Sequence, residues 1–86
     1  MAFVYILLCE NGSYYTGYST DVERRFKQHL AGKVKYTRAF KPIRILCTWE
    51  FSTKSDAMKY EYFIKKQPRK TKERLISEKL QSDLKK

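Results

Sequence analysis

The chain has 86 residues, of which 42% are hydrophobic and 15% aromatic, enough for one small domain with a modest core. Its 19 Lys and Arg residues outnumber 9 Asp and Glu, and the net charge of +10 favours a polyanionic partner, nucleic acid above all. No apolar run approaches the roughly 20 residues of a membrane span, and the N-terminus lacks the features of a signal peptide. We therefore expect a single cytoplasmic domain over residues 1–86 that does not associate with membranes.

The first two predicted elements form a β-hairpin. Residues 3–9 are almost entirely apolar, as in a buried strand, and residues 13–19 supply its partner. Asn11 and Gly12 lie between the two strands and are typical turn residues. The second strand is unusual because tyrosines surround a glycine at its centre.

The length of the hairpin loop decides which side chains share a face of the sheet. A two-residue turn would pair Leu8 with Tyr15 and would place Tyr5 on the face opposite Tyr15. A three-residue loop that ends in a left-handed glycine pairs Tyr5 with Gly17, and we predict this register. The missing side chain at Gly17 then opens space beside two phenols, which suits the approach of a ligand. A plain aromatic ladder that stiffens the sheet is the structural alternative.

A helix is predicted next, over about residues 21–31. Thr20 followed by Glu23 has the spacing of a capping box, and Gly32 ends the helical pattern. The apolar residues at helical spacing form one arc that should face the core; they are Val22, Phe26 and Leu30.

Two polar residues, Arg25 and His29, lie four positions apart along the edge of this arc. Arg25 is either a surface charge or an anion ligand, and His29 is either a filler at the core edge or part of a polar site.

Residues 33–42 show no apolar periodicity, so they are predicted to form a loop. The stretch alternates cations with aromatic residues and contains no acid. Cations can contact phosphates while aromatic rings stack on bases, although a solvated charged loop is the alternative. The predicted nucleic-acid contacts are Lys33, Lys35, Tyr36, Arg38, Lys41 and Arg44.

The remaining chain contains a third strand and two helices. Residues 43–51 are β-branched and aromatic, as in a strand. Thr53 can cap a helix that extends to about residue 67, where Pro68 ends it, and residues 70–80 form a last helix before a frayed end. The order β-β-α-β-α-α predicts an α+β fold with a three-stranded sheet flanked by helices.

Glu61 falls inside the apolar arc of the second of the three predicted helices. A carboxylate that faces the core is costly without a cationic partner. Glu61 is therefore either half of a structural ion pair with a buried Arg or Lys, or a metal ligand or catalytic acid.

The two cysteines, Cys9 and Cys47, form no CxxC motif and have no cluster of histidines beside them. They are predicted to be buried thiols of a cytosolic protein, and no zinc site is expected.

Five short segments, in their order and spacing, resemble a minimal GIY-YIG nuclease domain. The resemblance is to the small stand-alone bacterial proteins of the YhbQ/YazA type, the UPF0213 group, and it extends over nearly the whole chain. The segments are VYI at residues 4–6, YTG at 15–17, ERR..QH at 23–29, KYTR at 35–38 and YEYFIKK at 60–66.

This resemblance implies a small three-stranded sheet with flanking helices and metal-dependent hydrolysis of a phosphodiester. One Mg²⁺ or Mn²⁺ ion with a single carboxylate and waters fits such a site, and nearby positive charge could lower the pKa of a tyrosine enough for a phenolate base. The implied roles are paired tyrosines at Tyr5 and Tyr15, the motif glycine at Gly17, phosphate binding at Arg25, metal binding at Glu61, and further polar site residues at His29 and Tyr36.

We therefore expect a monomeric, metal-dependent DNA endonuclease that acts on duplex, branched or single-stranded DNA in repair or processing. Larger nucleases of the superfamily carry an Asn on a later helix, whereas the only Asn here is Asn11 in the turn. A non-catalytic nucleic-acid-binding module thus stays open, as does a protein-interaction domain whose charge serves solubility. A partner protein that directs the chain to its target is also left open.

Overall fold

The computed structural model describes residues 1–85, which form a three-stranded antiparallel sheet and four helices. The strand order is β2-β1-β3, so β1 lies at the centre. The predicted α+β fold class is confirmed. The elements are β1 (Ala2–Cys9), β2 (Tyr14–Ser19), α1 (Val22–Leu30), α2 (Lys35–Ala39), β3 (Pro42–Phe51), α3 (Lys54–Lys65) and α4 (Arg69–Leu84).

The central strand β1 is buried on both faces, since helices cover each side. Val4 and Ile6 point to one face, where they pack in a single cluster with Ala57 and Ile64 of α3 and Ile76 of α4. The side chains between them in sequence alternate to the opposite face. Burial of each valine or isoleucine side chain in this cluster contributes roughly 1.5 to 3 kcal/mol to stability. The sheet is thereby anchored, and its second face can carry polar groups.

The hairpin has the predicted three-residue loop. Gly12 adopts a left-handed conformation with φ of +82°, which a glycine accepts without strain. The Gly12 N–H donates to the Cys9 carbonyl at 2.8 Å, and the Cys9 N–H donates to the Ser13 carbonyl at 2.9 Å. Tyr5 therefore pairs with Gly17, as predicted, and the alternative two-residue turn is wrong.

Two expectations for α1 are wrong. The N-cap is Asp21 rather than Thr20, because the Asp21 carboxylate accepts from the Arg24 N–H at 3.1 Å. Leu30 is 46% exposed, whereas His29 is only 1% exposed and is the buried residue of the helix. An imidazole can replace a leucine at the sheet because both of its nitrogens find partners there, so its burial costs little.

The predicted loop over residues 33–42 contains a short helix, α2, so that prediction is corrected as well. Five helical residues are too few for an apolar period, and Thr37 is the only buried residue among them. The last helix also runs beyond residue 80, to Leu84, where an ion pair of 2.8 Å between Lys79 and Asp83 supports it. Lys86, the end of the predicted frayed segment, lies outside the described residues.

The predicted cap and end of α3 and the predicted burial of the two cysteines are confirmed. Thr53 caps α3 by accepting from the Asp56 N–H at 3.1 Å, and the helix ends before Pro68. Cys9 and Cys47 are free and buried. Within residues 1–85, no helix has both the length and the apolarity to cross a bilayer.

Candidate active site

The ring of Tyr5 lies across Gly17 of the edge strand β2. A Cβ atom at position 17 would lie 2.5 Å from the Tyr5 hydroxyl oxygen and 3.2 Å from Cε1 of Tyr15. The space at Gly17 is therefore filled by the Tyr5 phenol, and the expected opening for a ligand beside it is wrong. The glycine is needed because any larger residue would push Tyr5 from its position.

Tyr5 begins a chain of buried hydrogen bonds that joins β1 to α1 and α2. The Tyr5 hydroxyl and His29 Nε2 are 2.8 Å apart, and His29 Nδ1 and Thr37 Oγ1 are also 2.8 Å apart. Thr37 Oγ1 donates to the Val34 carbonyl at 3.4 Å, so its own proton is engaged. We therefore assign the proton of His29 to Nδ1, which leaves Nε2 to accept from Tyr5.

Burial keeps both groups of this pair neutral. Burial, with a smaller contribution from the charge of Arg25, lowers the pKa of His29 to about 4. Burial raises the pKa of Tyr5 to about 12, although its interactions with Arg25 act in the opposite direction. Burial therefore opposes the expected phenolate at Tyr5, because desolvation outweighs the neighbouring positive charge.

The depressed pKa of His29 predicts that acid weakens the fold. The unfolded chain binds a proton near pH 6.5, and the folded chain only near pH 4, so stability is lost as pH falls through this window. Urea unfolding between pH 7 and pH 4 should show a loss of about 2 to 3 kcal/mol from this group. In His29→Gln, which cannot titrate, the loss over the same window should be smaller by that amount; equal losses would contradict the burial of a neutral imidazole.

Arg25 lies beside this pair on α1, where it is partly buried. Its Nη1 donates to Gln28 Oε1 at 2.9 Å, a neighbour one turn along the helix. Its charge acts on both Tyr5 and His29, so the guanidinium lies close to both rings. A planar cation held in this way can donate two hydrogen bonds to one phosphate.

Glu61 of α3 lies within electrostatic range of the same phenol, since its charge is one of the smaller influences that raise the pKa of Tyr5. Its side chain is 17% exposed, and its ion-pair partner at 3.5 Å is Lys65, which is 51% exposed. The alternative of an ion pair with a buried cation is therefore wrong: such an exposed, helical pair contributes less than about 1 kcal/mol. The carboxylate is left with capacity for another cation.

This donor set suits a hard divalent ion. No cluster of three or more His, Cys, Asp or Glu residues exists within residues 1–85, so no residues are grouped as a tetrahedral zinc site requires. Mg²⁺ instead keeps several waters and often uses one carboxylate together with substrate phosphates. Glu61 fits that role.

A row of aromatic rings leads from the buried pair to the surface. The Tyr15 ring lies 4.9 Å from the His29 ring and 5.5 Å from the Tyr36 ring, and Tyr36 lies 5.5 Å from Phe40. The Tyr36 hydroxyl donates to Ser13 Oγ at 2.8 Å, which fixes the ring against the hairpin. The five predicted cations are all exposed around α2 and the start of β3; they are Lys33, Lys35, Arg38, Lys41 and Arg44.

Sequence reasoning did not assign a role to Thr37, which the structure places next to His29. Thr37 is buried on α2 and holds the imidazole from the side opposite Tyr5. Its only signal was its place in the segment KYTR, because a one-turn helix has no period that marks its buried residue.

Comparison with known proteins identifies relatives along most of the chain. Residues 1–74 match the model of the GIY-YIG catalytic domain. The UPF0213 protein BH0048 of Halalkalibacterium halodurans is 53% identical over 76 residues, which are 87% of this chain and 81% of that protein. The UPF0213 protein YazA of Bacillus subtilis is 43% identical over 81 residues, 93% of this chain and 82% of that protein.

Two solution NMR structures are similar to this fold. That of the UPF0213 protein BH0048 from Bacillus halodurans matches with a TM-score of 0.61 and 52% identity, over 92% of this chain and 86% of the other. That of the protein EF2693 from E. faecalis matches with a TM-score of 0.61 and 42% identity, over 87% and 81% of the two chains.

Proposed function

The chain belongs to the GIY-YIG catalytic-domain family, and from this premise we propose that it hydrolyses phosphodiester bonds in DNA with one bound Mg²⁺ or Mn²⁺ ion. The family implies an endonuclease-type activity on nucleic acid. What supports the proposal is that Arg25 lies one helical turn before His29, which contacts the Tyr5 hydroxyl at 2.8 Å, and that the charges of Arg25 and Glu61, from different helices, both act on this phenol. An anionic phosphate and a divalent cation are the ligands that such a pair can hold together.

The residues divide into those that reach a substrate and those that hold them in place. Tyr5 and His29 are almost fully buried, so we assign them to positioning. Tyr15 is partly exposed and contacts the His29 ring, and Arg25 is also partly exposed. Arg25 would bind a non-bridging phosphate oxygen, and Tyr15 would orient the attacking water through its hydroxyl.

The proposed reaction is a displacement at phosphorus. The oxygen of water forms a bond to phosphorus, the bond to the leaving oxygen breaks, and the proton of the water reaches the leaving oxygen by way of solvent. A divalent ion at Glu61, when bound, supplies positive charge for the phosphoryl and leaving oxygens. Arg25 adds fixed positive charge on the same phosphate.

The test is a gel assay with plasmid, branched DNA and single strands, each incubated with Mg²⁺, Mn²⁺ or a chelator. Cleavage that requires the metal is the expected result. The second candidate is a non-catalytic nucleic-acid-binding module, and the observation that favours it is the deep burial of the Tyr5 phenol. Tight binding without cleavage of any substrate with either ion would establish that candidate instead.

The proposal extends to the setting of the protein. We propose a monomer in the cytoplasm, where Cys9 and Cys47 stay reduced, as their free, buried thiols suggest. We further propose a part in DNA repair or processing, since an endonuclease-type activity on nucleic acid suits such a role. We also leave room for a partner protein that binds the exposed surface of this domain and directs the nuclease to its target.

The cations around α2 give a measurable prediction for duplex binding. If all five contact phosphates, they contribute a slope of roughly −4 to −5 to log K against log[salt]. Replacing Lys35, Arg38 and Lys41 by Ala should flatten the slope by about 2 to 3 units. Fluorescence anisotropy of a labelled duplex at several salt concentrations measures the slope. An unchanged slope would mean that the duplex binds to another surface of the protein.

A further inference from the structure

We infer that a groove on the outer face of α3 binds an unpaired nucleic-acid strand that extends from the candidate active site. The inference rests on the proposed function and adds a substrate feature to it. The groove, called the α3 groove below, is lined by Lys54, Ser55, Met58, Lys59 and Tyr62.

The lining of the α3 groove combines apolar surface with positive charge. Met58 is 45% exposed and Tyr62 is 63% exposed, so two large apolar side chains face solvent on one helix face. Because they line the same groove, they form a small continuous apolar surface that a ligand can contact. The groove also carries two lysines and no acid in its described lining, which makes it complementary to a polyanion. An acidic or purely apolar protein surface would match only one of these two properties.

Tyr62 has the arrangement of a base-stacking platform. The Lys66 ammonium lies over the Tyr62 ring, 4.0 Å from its centroid. Tyr62 lines the α3 groove and is 63% exposed, whereas Lys66 is outside that lining, so we place the ligand on the ring face that the lysine does not cover. A base can stack on the free face of the ring. The Lys66 ammonium keeps its cation–π contact on the other face and can also contact a phosphate. Stacking of this kind requires bases that are not paired in a duplex.

The α3 groove reaches the neighbourhood of Glu61 along the surface of one helix. Met58 lines the groove and lies three residues before Glu61, so the two side chains are neighbours on the surface of α3. At the other end, the Lys54 ammonium lies 5.8 Å from the centroid of Tyr18, whose ring packs against the core cluster of Val4 and Ile6. A strand whose phosphate lies between Arg25 and Glu61 can thus continue over α3. The duplex part of the same substrate remains with the cations around α2.

The test is binding of a single-stranded oligothymidylate and of a duplex of equal length, in chelator so that no cleavage occurs. The ¹³C-methyl signal of Met58, assigned through Met58→Leu, should shift with the single strand. Tyr62→Leu should weaken single-strand binding about 5- to 100-fold and change duplex binding less than about twofold. Lys54→Gln with Lys59→Gln should flatten the single-strand salt slope by about 1.4 units, whereas the matched pair Lys70→Gln and Lys85→Gln, both exposed on or beside α4, should leave it unchanged.

Three results would overturn the inference: a Met58 signal unmoved by saturating single strand, equal losses of single-strand and duplex affinity in Tyr62→Leu, or a Met58 shift that follows protein concentration without oligonucleotide. The last would assign the groove to a second copy of the chain. These outcomes are separate from the proposed function, because a chain that cuts DNA can fail them and a chain that never cuts can pass them.

Discussion

Replacing Glu61 by Gln should abolish metal-dependent cleavage while the fold and the affinity for DNA survive. The amide keeps the shape of the side chain and removes the charge that would hold the cation. Loss of the charge stabilisation that a metal provides costs several kcal/mol at the transition state, which corresponds to a rate loss of roughly a thousandfold or more. Single-turnover cleavage with Mg²⁺ and with Mn²⁺ measures the effect.

The same variant separates a metal role from a structural one. Lys65, the partner of Glu61, is half-exposed, so loss of their pair should lower the free energy of unfolding by less than about 1 kcal/mol. Glu50→Gln, at an exposed position on β3, is the matched control and should cut at the wild-type rate. A folded Glu61→Gln protein that also cuts at that rate would remove the metal assignment.

Tyr5→Phe should lower both stability and activity, because one hydroxyl connects the core to the candidate site. Its loss leaves the buried Nε2 of His29 without a donor, at a cost of about 1 to 3 kcal/mol. The melting temperature should fall by roughly 5 to 20 °C for a domain of this size. The Tyr5 hydroxyl also interacts with Arg25 and holds His29, whose ring contacts Tyr15, so its loss frees these side chains to move. Misplacement of catalytic groups can lower kcat on the order of a hundredfold.

The activity of Tyr5→Phe must be measured well below its melting temperature, so that the folded fraction stays near one. Tyr60→Phe is the control, since Tyr60 is partly buried on α3 and its hydroxyl makes no hydrogen bond within residues 1–85. That variant should keep wild-type activity. If Tyr5→Phe is as stable and as active as Tyr60→Phe, the hydrogen bond to His29 does not position the site.

The local sequence determined the three strands, three of the four helices described and the order of these elements. A strand, a hairpin loop or a helix cap depends on a few consecutive residues and the hydrogen bonds between them, as at Gly12 and Thr53. The register of the hairpin followed from one left-handed glycine, which placed Tyr5 opposite Gly17 before any contact was known. The residues of the candidate site were named from the family resemblance, because single motifs such as VYI are too short to specify chemistry.

Tertiary structure alone decided how those residues are used. His29 rather than Leu30 is buried because Tyr5, 24 residues earlier, and Thr37, 8 residues later, satisfy its two nitrogens. The glycine at position 17 receives the Tyr5 ring, and the cation beside Glu61 proves to be an exposed lysine. Each of these facts depends on contacts between distant segments, and burial and pKa depend on the sum of such contacts. No helical or strand period contains that information, because a period reports only which side of an element is apolar.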